Sequence, residues 1–190
     1  AEPGDLVRVV DRHGAFCCWA IASPASKITL RRVSRAEAPP DRSFWSERLR
    51  LSIGRRGERA VAATGCARLI HAEADGFPGL TVDRYGEHLV LQATTVWADR
   101  VQATLATELL ALTRCISALS RADAKGRELE GLPLSVHPLA GEPPAALEVE
   151  EGGALRTVDL YRGHKTGLYL DQQDNHRAAS EWLHGKVLDL

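Results

Sequence analysis

Side chains that could do chemistry are concentrated in residues 163–177, which read GHKTGLYLDQQDNHR. The glycines, the lysine and the threonine at the start of this segment suggest a phosphate-binding loop. Such a loop needs Gly-Lys-Ser/Thr in direct succession, with another glycine five places earlier. His164 separates Gly163 from Lys165, so the sequence does not predict a nucleoside triphosphate site here.

The cysteines and histidines do not predict a metal site. The cysteines have neither the paired spacing of zinc ligands nor the density of a disulfide-rich secreted domain. They are Cys17, Cys18, Cys66 and Cys115. No two of the seven histidines are placed to share one turn of a helix as ligands. We therefore expect reduced thiols and no bound metal.

Basic side chains are concentrated at the front of the chain. Residues 1–60 hold 12 Lys and Arg against 7 Asp and Glu, although the net charge of the 190 residues is only −1. Arginines at such density can neutralise phosphates, the main source of sequence-independent affinity for nucleic acid. A solvated helix face would have a similar composition. The candidates for RNA contact are Arg31, Arg32, Arg55, Arg56 and Arg59.

The elements around these arginines are predicted to be short strands followed by a helix. Alternating apolar residues and turn signals predict strands at 6–10, 15–20 and 27–33. Three strands are too few to close a small barrel, so we expect further strands outside the given sequence. A helix should begin after Asp41 as its N-cap and end where Gly54 interrupts the apolar pattern.

The middle of the chain predicts a compact α+β unit, in the order strand, strand, helix, strand, strand. Its helix has apolar residues on one face from Trp97 to Leu112, and its charged segment 125–130 is expected to lie outside the core. The strands are expected at 67–73, 80–85, 88–94 and 115–119, followed by a hairpin of 146–150 with 155–161.

A third region is predicted after residue 163. A helix is expected at 171–183, and the apolar run 186–190 suits the first, fully buried strand of a parallel sheet. We therefore expect this sheet to continue beyond the given sequence.

Two long motifs together resemble one enzyme family. The first is RLIHAEADGFPGLTVDRYG at residues 68–86, and the second is the 163–177 segment, followed by VLDL at 187–190. In order and spacing they are similar to the bacterial 23S ribosomal RNA cytosine-C5 methyltransferases of the RlmI type. That family joins a PUA-like domain, a small α+β domain and a Rossmann-like methyltransferase domain.

The resemblance implies how the chain is divided into domains. Residues 1–38 would be an incomplete PUA-like RNA-binding domain, 39–64 a linker helix and 65–163 the middle α+β domain. Residues 164–190 would begin a truncated methyltransferase domain that uses S-adenosyl-L-methionine.

The resemblance also implies a set of cofactor-binding residues. Asp171 is expected either to cap the helix that follows or to accept a hydrogen bond from the cofactor, where Tyr169 offers an amphipathic ring. Gln173 departs from the arginine that many relatives have. The full set is Lys165, Thr166, Gly167, Tyr169, Asp171, Gln172, Arg177 and Asp189.

The first motif is open to two interpretations. Its Asp-Gly and Pro-Gly pairs suit a tight turn, so it could be a hairpin signature of the middle domain. Alternatively, Glu73, Asp75 or Arg84 could contact substrate.

The implied chemistry is methylation of cytosine at carbon 5. Enzymes of this type add a cysteine thiolate to carbon 6 before the methyl transfer. In the family that cysteine lies in the methyltransferase domain, so we expect no catalytic residue within residues 1–190.

Ribosomal RNA is the implied partner, and a homodimer is a further assembly to consider. We expect a cytoplasmic protein without a membrane segment or signal peptide. Two alternatives remain open: a stand-alone RNA-binding module without catalytic activity, and a methyltransferase that acts on another RNA or another base.

Overall fold

The computed structural model describes residues 1–57 and 64–188. Arg59 and Asp189, two of the candidate site residues, lie outside the described residues. The chain has a mixed α and β architecture, as expected in outline. Among the described residues, none of the helices is both long enough and apolar enough to span a lipid bilayer.

The chain opens with a three-stranded antiparallel sheet and a helix. The strands are β1 (Leu6–Val10), β2 (Phe16–Ala22) and β3 (Leu30–Ser34), in that order across the sheet. Helix α1 covers Arg42–Arg56, with the Asp41 side chain accepting a hydrogen bond from the Phe44 amide at 2.9 Å. The N-cap prediction is confirmed. The predicted end is wrong, because α1 continues through Gly54 to a C-cap at Gly57.

A five-stranded sheet forms the centre of the molecule. In spatial order it contains β4 (Cys66–His71), β5 (Leu80–Tyr85), β6 (His88–Ala93), β7 (Ser117–Ala122) and β8 (Ser135–Ala140). Helix α2 (Val96–Thr113) connects β6 to β7, which is why this pair is parallel while the other pairs are antiparallel.

Two features of this sheet correct the sequence-based expectation. Strand β8 was not predicted, and it occupies the sheet edge, where its Pro138 removes no hydrogen bond from a central ladder. The predicted hairpin forms, as β9 (Ala146–Glu151) and β10 (Ala154–Asp159), but it is a separate two-stranded sheet.

Alternating residues of the five-stranded sheet contribute to two hydrophobic clusters. Leu89 and Leu91 belong to a cluster that also contains residues of α1, α2 and the first sheet, among them Ile21 and Leu49. Val90 belongs to a second cluster, which includes residues of the hairpin and of the segment after it. The first cluster is thus shared across the predicted boundaries at residues 38 and 64, which stay predictions.

The last described elements are short. A 3-10 helix (Leu170–Gln172) leads into α3 (Gln173–Ser180), which is shorter than the predicted helix 171–183. Val187 and Leu188 lie in no strand and are 52% and 79% exposed, so the predicted strand is not formed over these two residues. A buried parallel strand requires hydrogen-bonded neighbours, and none pairs with these two residues within the described part of the chain.

The charged segment 125–130 also differs from the sequence-based expectation. It forms a 3-10 helix (Lys125–Glu130), and its Arg127 and Glu130 are buried. Composition predicted exposure because charged residues are almost never fully buried unless they are paired. Arg127 meets that condition, since its guanidinium donates to the Ala93 and Pro133 carbonyls and to the Asp99 carboxylate.

Candidate functional site

The segment from Gly163 to Leu168 lies against β5 and β7 of the central sheet. Buried Arg121 of β7 donates to the carbonyls of Leu160, at 2.8 Å, and Gly163, at 3.0 Å. Gly163 packs so closely on the backbone of Asp159 that a Cβ added to it would clash with the Asp159 carbonyl oxygen. The sheet therefore fixes the start of the segment through backbone contacts.

Thr166 and Leu168 are tied to two side chains of β5. The fully buried Thr166 hydroxyl donates to the Asp83 carboxylate at 2.5 Å and lies 3.0 Å from the Tyr85 hydroxyl. The Leu168 amide donates to that same Tyr85 oxygen at 2.9 Å. Burial raises the pKa of Tyr85, and the nearby Asp83 charge acts in the same direction, so this phenol stays protonated. These contacts join two motifs about 80 residues apart in the sequence.

Asp83 is fully buried and carries a second set of bonds. Arg68 of β4 donates from Nε and Nη2 to its two oxygens, both at 2.9 Å. Burial alone would lower the pKa of Arg68, but the hydrogen bond to Asp83 and the nearby negative charges together outweigh it, and the net pKa is raised. A buried charge pair of this kind is costly to break, because removing one partner leaves the other buried and uncompensated.

Three of the predicted cofactor-binding residues form one exposed cluster. The Lys165 ammonium donates to both Asp171 oxygens, at 2.9 and 3.0 Å, and lies 4.5 Å from the centre of the Tyr169 ring. The hydrogen bond from Lys165 lowers the pKa of Asp171, which is therefore ionised at neutral pH. The cluster thus presents a cation, a carboxylate acceptor and a half-exposed aromatic ring.

The predicted N-cap role of Asp171 is wrong. Asp171 lies inside the 3-10 helix, and the N-cap of α3 is Gln172, which makes no side-chain capping bond. The Asp171 carboxylate is engaged by Lys165 instead. The structure excludes the N-cap role, and contact of Asp171 with a cofactor stays a prediction.

The other predicted cofactor-binding residues lie elsewhere. Thr166 and Gly167 face the sheet, so they hold the segment in place and do not present it to a ligand. Gln172 is exposed and accepts a hydrogen bond from Asn175. Arg177 lines a separate open cavity of about 290 Å³ beside Cys66. These placements leave the assignment of the whole set as a prediction.

Gln173 has a structural role at that cavity. Its side-chain amide donates to the carbonyl oxygen and the sulfur of Cys66, at 3.3 and 3.1 Å. Burial, with a contribution from the Glu151 charge, raises the pKa of the Cys66 thiol to about 11. A thiol in this state is a poor nucleophile at neutral pH, since the thiolate is the reactive form.

The predicted RNA-binding arginines divide into two kinds. Arg56 makes a two-point ion pair with buried Asp75, at 2.6 and 2.9 Å, and Arg31 pairs with Glu73 at 2.6 Å. Arg32 and Arg55 are exposed beside an open cleft between β3, α1 and the turn after β4. Arg55 also makes a longer ion pair with Asp75, at 3.3 Å, and would give up only this contact to reach a phosphate. Reaching a phosphate would cost Arg56 and Arg31 ion pairs of better geometry.

Residues of the first motif are mostly structural. Arg84 is 2% exposed and donates to the Gly86 and Thr113 carbonyls. Burial raises the pKa of Asp75, but the hydrogen bonds from Arg56 and from the His71 amide outweigh it, and the net pKa is lowered. For Arg84 and Asp75 the contacts favour the hairpin interpretation over contact with substrate.

We expect Arg56→Ala to lower the free energy of unfolding by about 2–3 kcal/mol, because it leaves the buried Asp75 carboxylate with fewer donors. Urea denaturation would measure the change. Arg50→Ala is the matched control on the same helix: its ion pair with Glu47 is exposed, so it should cost less than about 0.5 kcal/mol. Equal effects of the two substitutions would contradict this assignment.

Sequence reasoning missed the residues that hold the 163–168 segment. Asp83 and Tyr85 lie inside the first motif. The alternating pattern there predicts a β-strand, and it suggests no further role for these two residues. Arg121 belongs to a strand of otherwise small and apolar residues, SALSRA. For Asp83, a charged side chain within a predicted strand was the available signal, because such a residue needs a partner if it is buried. Arg121 lies beyond the predicted strand 115–119 and gave no such signal.

Comparison with known proteins agrees with this architecture. A family model described as a PUA-like domain matches residues 1–35. Ribosomal RNA large subunit methyltransferase I of Salmonella arizonae is 37% identical over 186 residues, which are 96% of this chain and 46% of the relative. The protein of the same name from Escherichia coli K12 is also 37% identical, over 98% of this chain and 48% of the relative.

The chain is a homologue of the RlmI-type methyltransferases. It spans about half the length of these curated relatives. The RlmI-type resemblance of the two motifs is thereby confirmed, while the activity of the whole protein is a matter for proposal.

Solved structures show the same fold. A candidate SAM-dependent methyltransferase from Streptococcus mutans superposes with a TM-score of 0.77 over 93% of this chain and 46% of that chain, at 19% identity. A second structure, of a candidate methyltransferase in complex with SAH, gives the same TM-score and identity, with 45% of that chain covered. At this identity the likeness supports the fold of this RlmI-type homologue and not its site.

Proposed function

We propose that the protein is an S-adenosyl-L-methionine-dependent methyltransferase of large-subunit ribosomal RNA, acting at carbon 5 of a cytosine. The observation that carries the proposal is the exposed group of Lys165, Tyr169 and Asp171, held at the surface by a buried polar network. The names of the relatives supply methyl transfer and large-subunit ribosomal RNA, and carbon 5 of cytosine is implied by the family that the two motifs resemble.

The chemistry of this exposed group fits the methyl donor. S-adenosyl-L-methionine has a carboxylate, ribose hydroxyls and an adenine ring, and its sulfonium supplies the methyl group. A lysine suits the carboxylate, an ionised aspartate suits the hydroxyls, and a tyrosine ring can stack on a base. Lys165, Asp171 and Tyr169 would supply these three contacts, and Gln172 and Arg177 are further candidates.

The family mechanism requires a cysteine that reacts as a thiolate, and the cysteines within the described residues do not fit that role. Burial raises the pKa of Cys66 and of Cys115, which are both buried residues. Cys17 and Cys18 lie on β2, far in sequence from the proposed donor site. We therefore assign donor contacts and RNA contacts to this part of the chain, and no catalytic nucleophile.

The RNA would be held at the open cleft between β3, α1 and the turn after β4, called the arginine cleft. It lies beside the three-stranded sheet of β1, β2 and β3, called the front sheet. Arg32 and Arg55 are exposed there, and Arg48 lines the same cleft. Phosphate contacts by arginine supply affinity without sequence specificity. The PUA-like match of residues 1–35 ends close to Arg32, which is consistent with an RNA-facing surface. The cytoplasm is the compartment that suits such a substrate, and a homodimer stays a prediction.

Donor binding and methyl transfer test the first half of the proposal. Titration calorimetry of the full-length protein with S-adenosyl-L-homocysteine should give binding, and labelled methyl groups should transfer from S-adenosyl-L-methionine to large-subunit RNA. Lys165→Ala should weaken donor affinity roughly tenfold, as expected for a lost charged hydrogen bond. Lys27→Ala, at an exposed lysine of the loop between β2 and β3, is the control. A full-length protein that binds no donor would contradict the proposal.

RNA binding tests the second half. The double substitution Arg32→Ala with Arg55→Ala should weaken RNA affinity and reduce the slope of log affinity against log salt by about 1.5–2, or close to one unit for each lost phosphate contact. Arg156→Ala, at an exposed arginine of the β9–β10 hairpin, should leave the slope unchanged. If the double variant keeps the wild-type slope, the arginine cleft does not bind RNA.

A further inference from the structure

Two buried polar side chains on β5 face the segment that carries Lys165. Asp83 and Tyr85 are two positions apart in one strand, so they point to the same face of the sheet. Both are fully buried. Burying a carboxylate and a phenol is costly unless each has hydrogen-bond partners. Arg68 is one partner of Asp83, and the remaining partners of the two side chains come from the Thr166–Leu168 stretch, which suggests that the sheet is built to receive that stretch.

The chemistry of these groups fixes the direction of every hydrogen bond in the network. The Asp83 carboxylate, whose two oxygens accept from Arg68, serves only as an acceptor here, so Thr166 must donate to it. The Thr166 oxygen is then free to accept from the Tyr85 hydroxyl, 3.0 Å away. The Tyr85 oxygen in turn accepts from the Leu168 amide at 2.9 Å. A single chain of donors runs from Leu168 through Tyr85 and Thr166 to Asp83, without a conflict at any atom.

A second anchor lies at the start of the segment. The Arg121 side chain is 5% exposed and donates to two backbone carbonyls, those of Leu160 and Gly163. Asp123 accepts from Arg121 at 2.8 and 3.0 Å and so compensates the charge. The segment is thus fixed by one side chain of β7 before Lys165 and by two side chains of β5 after it.

Lys165, between the two anchors, has a backbone conformation that side chains disfavour. Its φ is +55°, in the left-handed region, which is unfavourable for a residue other than glycine. Such a conformation persists when the surrounding structure over-determines it. Here the anchors on both sides do so, and they direct the lysine side chain to Asp171 and to the Tyr169 ring.

We propose that Tyr85, Thr166 and Arg121 are positioning residues for the methyl donor. This inference rests on the proposed function. Arg121 contacts the backbone of the segment from behind, and Tyr85 contacts both its backbone and the Thr166 hydroxyl, while Lys165 and Asp171 make the donor contacts in front. Their role is to keep the Lys165 and Asp171 pair in the arrangement that binds the donor, so that no ordering is needed when the donor arrives.

Isosteric variants of the full-length protein test this role. Tyr85→Phe and Thr166→Val each remove one hydroxyl from the network and keep the packing. Two matched controls lose a hydroxyl elsewhere. Tyr161→Phe loses a bond to the Pro143 carbonyl, and Thr113→Val loses a bond within helix α2, where the threonine is as buried as Thr166.

We expect Tyr85→Phe and Thr166→Val to raise the dissociation constant for S-adenosyl-L-homocysteine and the KM for the donor by roughly 5–10-fold, as for one lost hydrogen bond. RNA affinity and kcat at saturating donor should change less than twofold. General destabilisation would not weaken donor binding while leaving these two quantities unchanged. Thr166→Ser, which keeps the hydroxyl that Thr166→Val removes, should bind the donor with near wild-type affinity. The two controls should bind the donor as the wild type does.

The outcomes separate this inference from the function on which it rests. Wild-type donor affinity in Tyr85→Phe and Thr166→Val would overturn the positioning role while leaving the methyltransferase proposal standing. So would equal weakening by Thr113→Val, or failure of Thr166→Ser to recover affinity. A wild-type protein that binds no donor would overturn both.

Discussion

Replacing Gly167 by alanine should lower the free energy of unfolding by about 3 kcal/mol and weaken donor binding at least tenfold. The φ of Gly167 is +149°, and a Cβ built on it would lie 2.5 Å from the Val158 Cγ1 atom and 3.1 Å from the Tyr85 ring. Val158 and Tyr85 are both buried in the second hydrophobic cluster and have little room to move. The added methyl should therefore push the segment off the sheet.

Gly153→Ala separates backbone strain from steric conflict. Gly153 also has a positive φ, +87°, but nothing lies within 4 Å of the position that its Cβ would take. We expect it to cost on the order of 1 kcal/mol and to leave donor affinity unchanged. Urea denaturation and calorimetry with S-adenosyl-L-homocysteine measure both effects. Equal stability losses in the two variants would show that the close packing of Gly167 on β5 and β10 is not real.

Replacing Arg127 by alanine should cost about 3–5 kcal/mol of stability. The Arg127 side chain is 2% exposed and donates to the Ala93 and Pro133 carbonyls, at 2.5 and 3.1 Å, and to Asp99 at 2.8 Å. Alanine would leave two backbone acceptors without these donors, and would open a cavity the size of the lost side chain.

Arg127→Lys is the informative companion variant. A lysine has one nitrogen and cannot reach three acceptors in different directions, so it should recover less than half of the loss. Thermal and urea unfolding provide the measurement. If Arg127→Lys has wild-type stability, the positive charge stabilises the fold and the several N–H donors of the guanidinium are not needed.

The regular elements were largely predictable from local patterns. Strands β1 and β5 have the bounds that alternation predicts, and α2 begins and ends within one residue of its apolar stripe. Strand β8 was missed because a proline and a histidine hide its alternation, and only its position at the sheet edge makes Pro138 acceptable. Pairing partners such as β6 with β7 depend on the whole fold and not on a local signal.

The candidate site was predictable only in part. Lys165, Tyr169 and Asp171 lie within six positions of one another, and the motif that contains them was evident. The bonds that hold them join residues 81 to 83 positions apart, which no local pattern encodes. The arginines show the same limit. Arg55 and Arg56 are neighbours in the sequence and both contact buried Asp75. Arg56 makes the shorter, two-point pair, while the Arg55 side chain lies 3.3 Å from Asp75 and is 61% exposed.

Hydrogen exchange tests most directly whether the segment after Gly163 is part of the donor site. Amides of residues 164–172 in the full-length protein should exchange more slowly when S-adenosyl-L-homocysteine is added, because the donor contacts Lys165, Tyr169 and Asp171. Amides of the front sheet, such as those of β1, should be unaffected. Donor binding that protects other regions and leaves residues 164–172 unchanged would contradict the assignment.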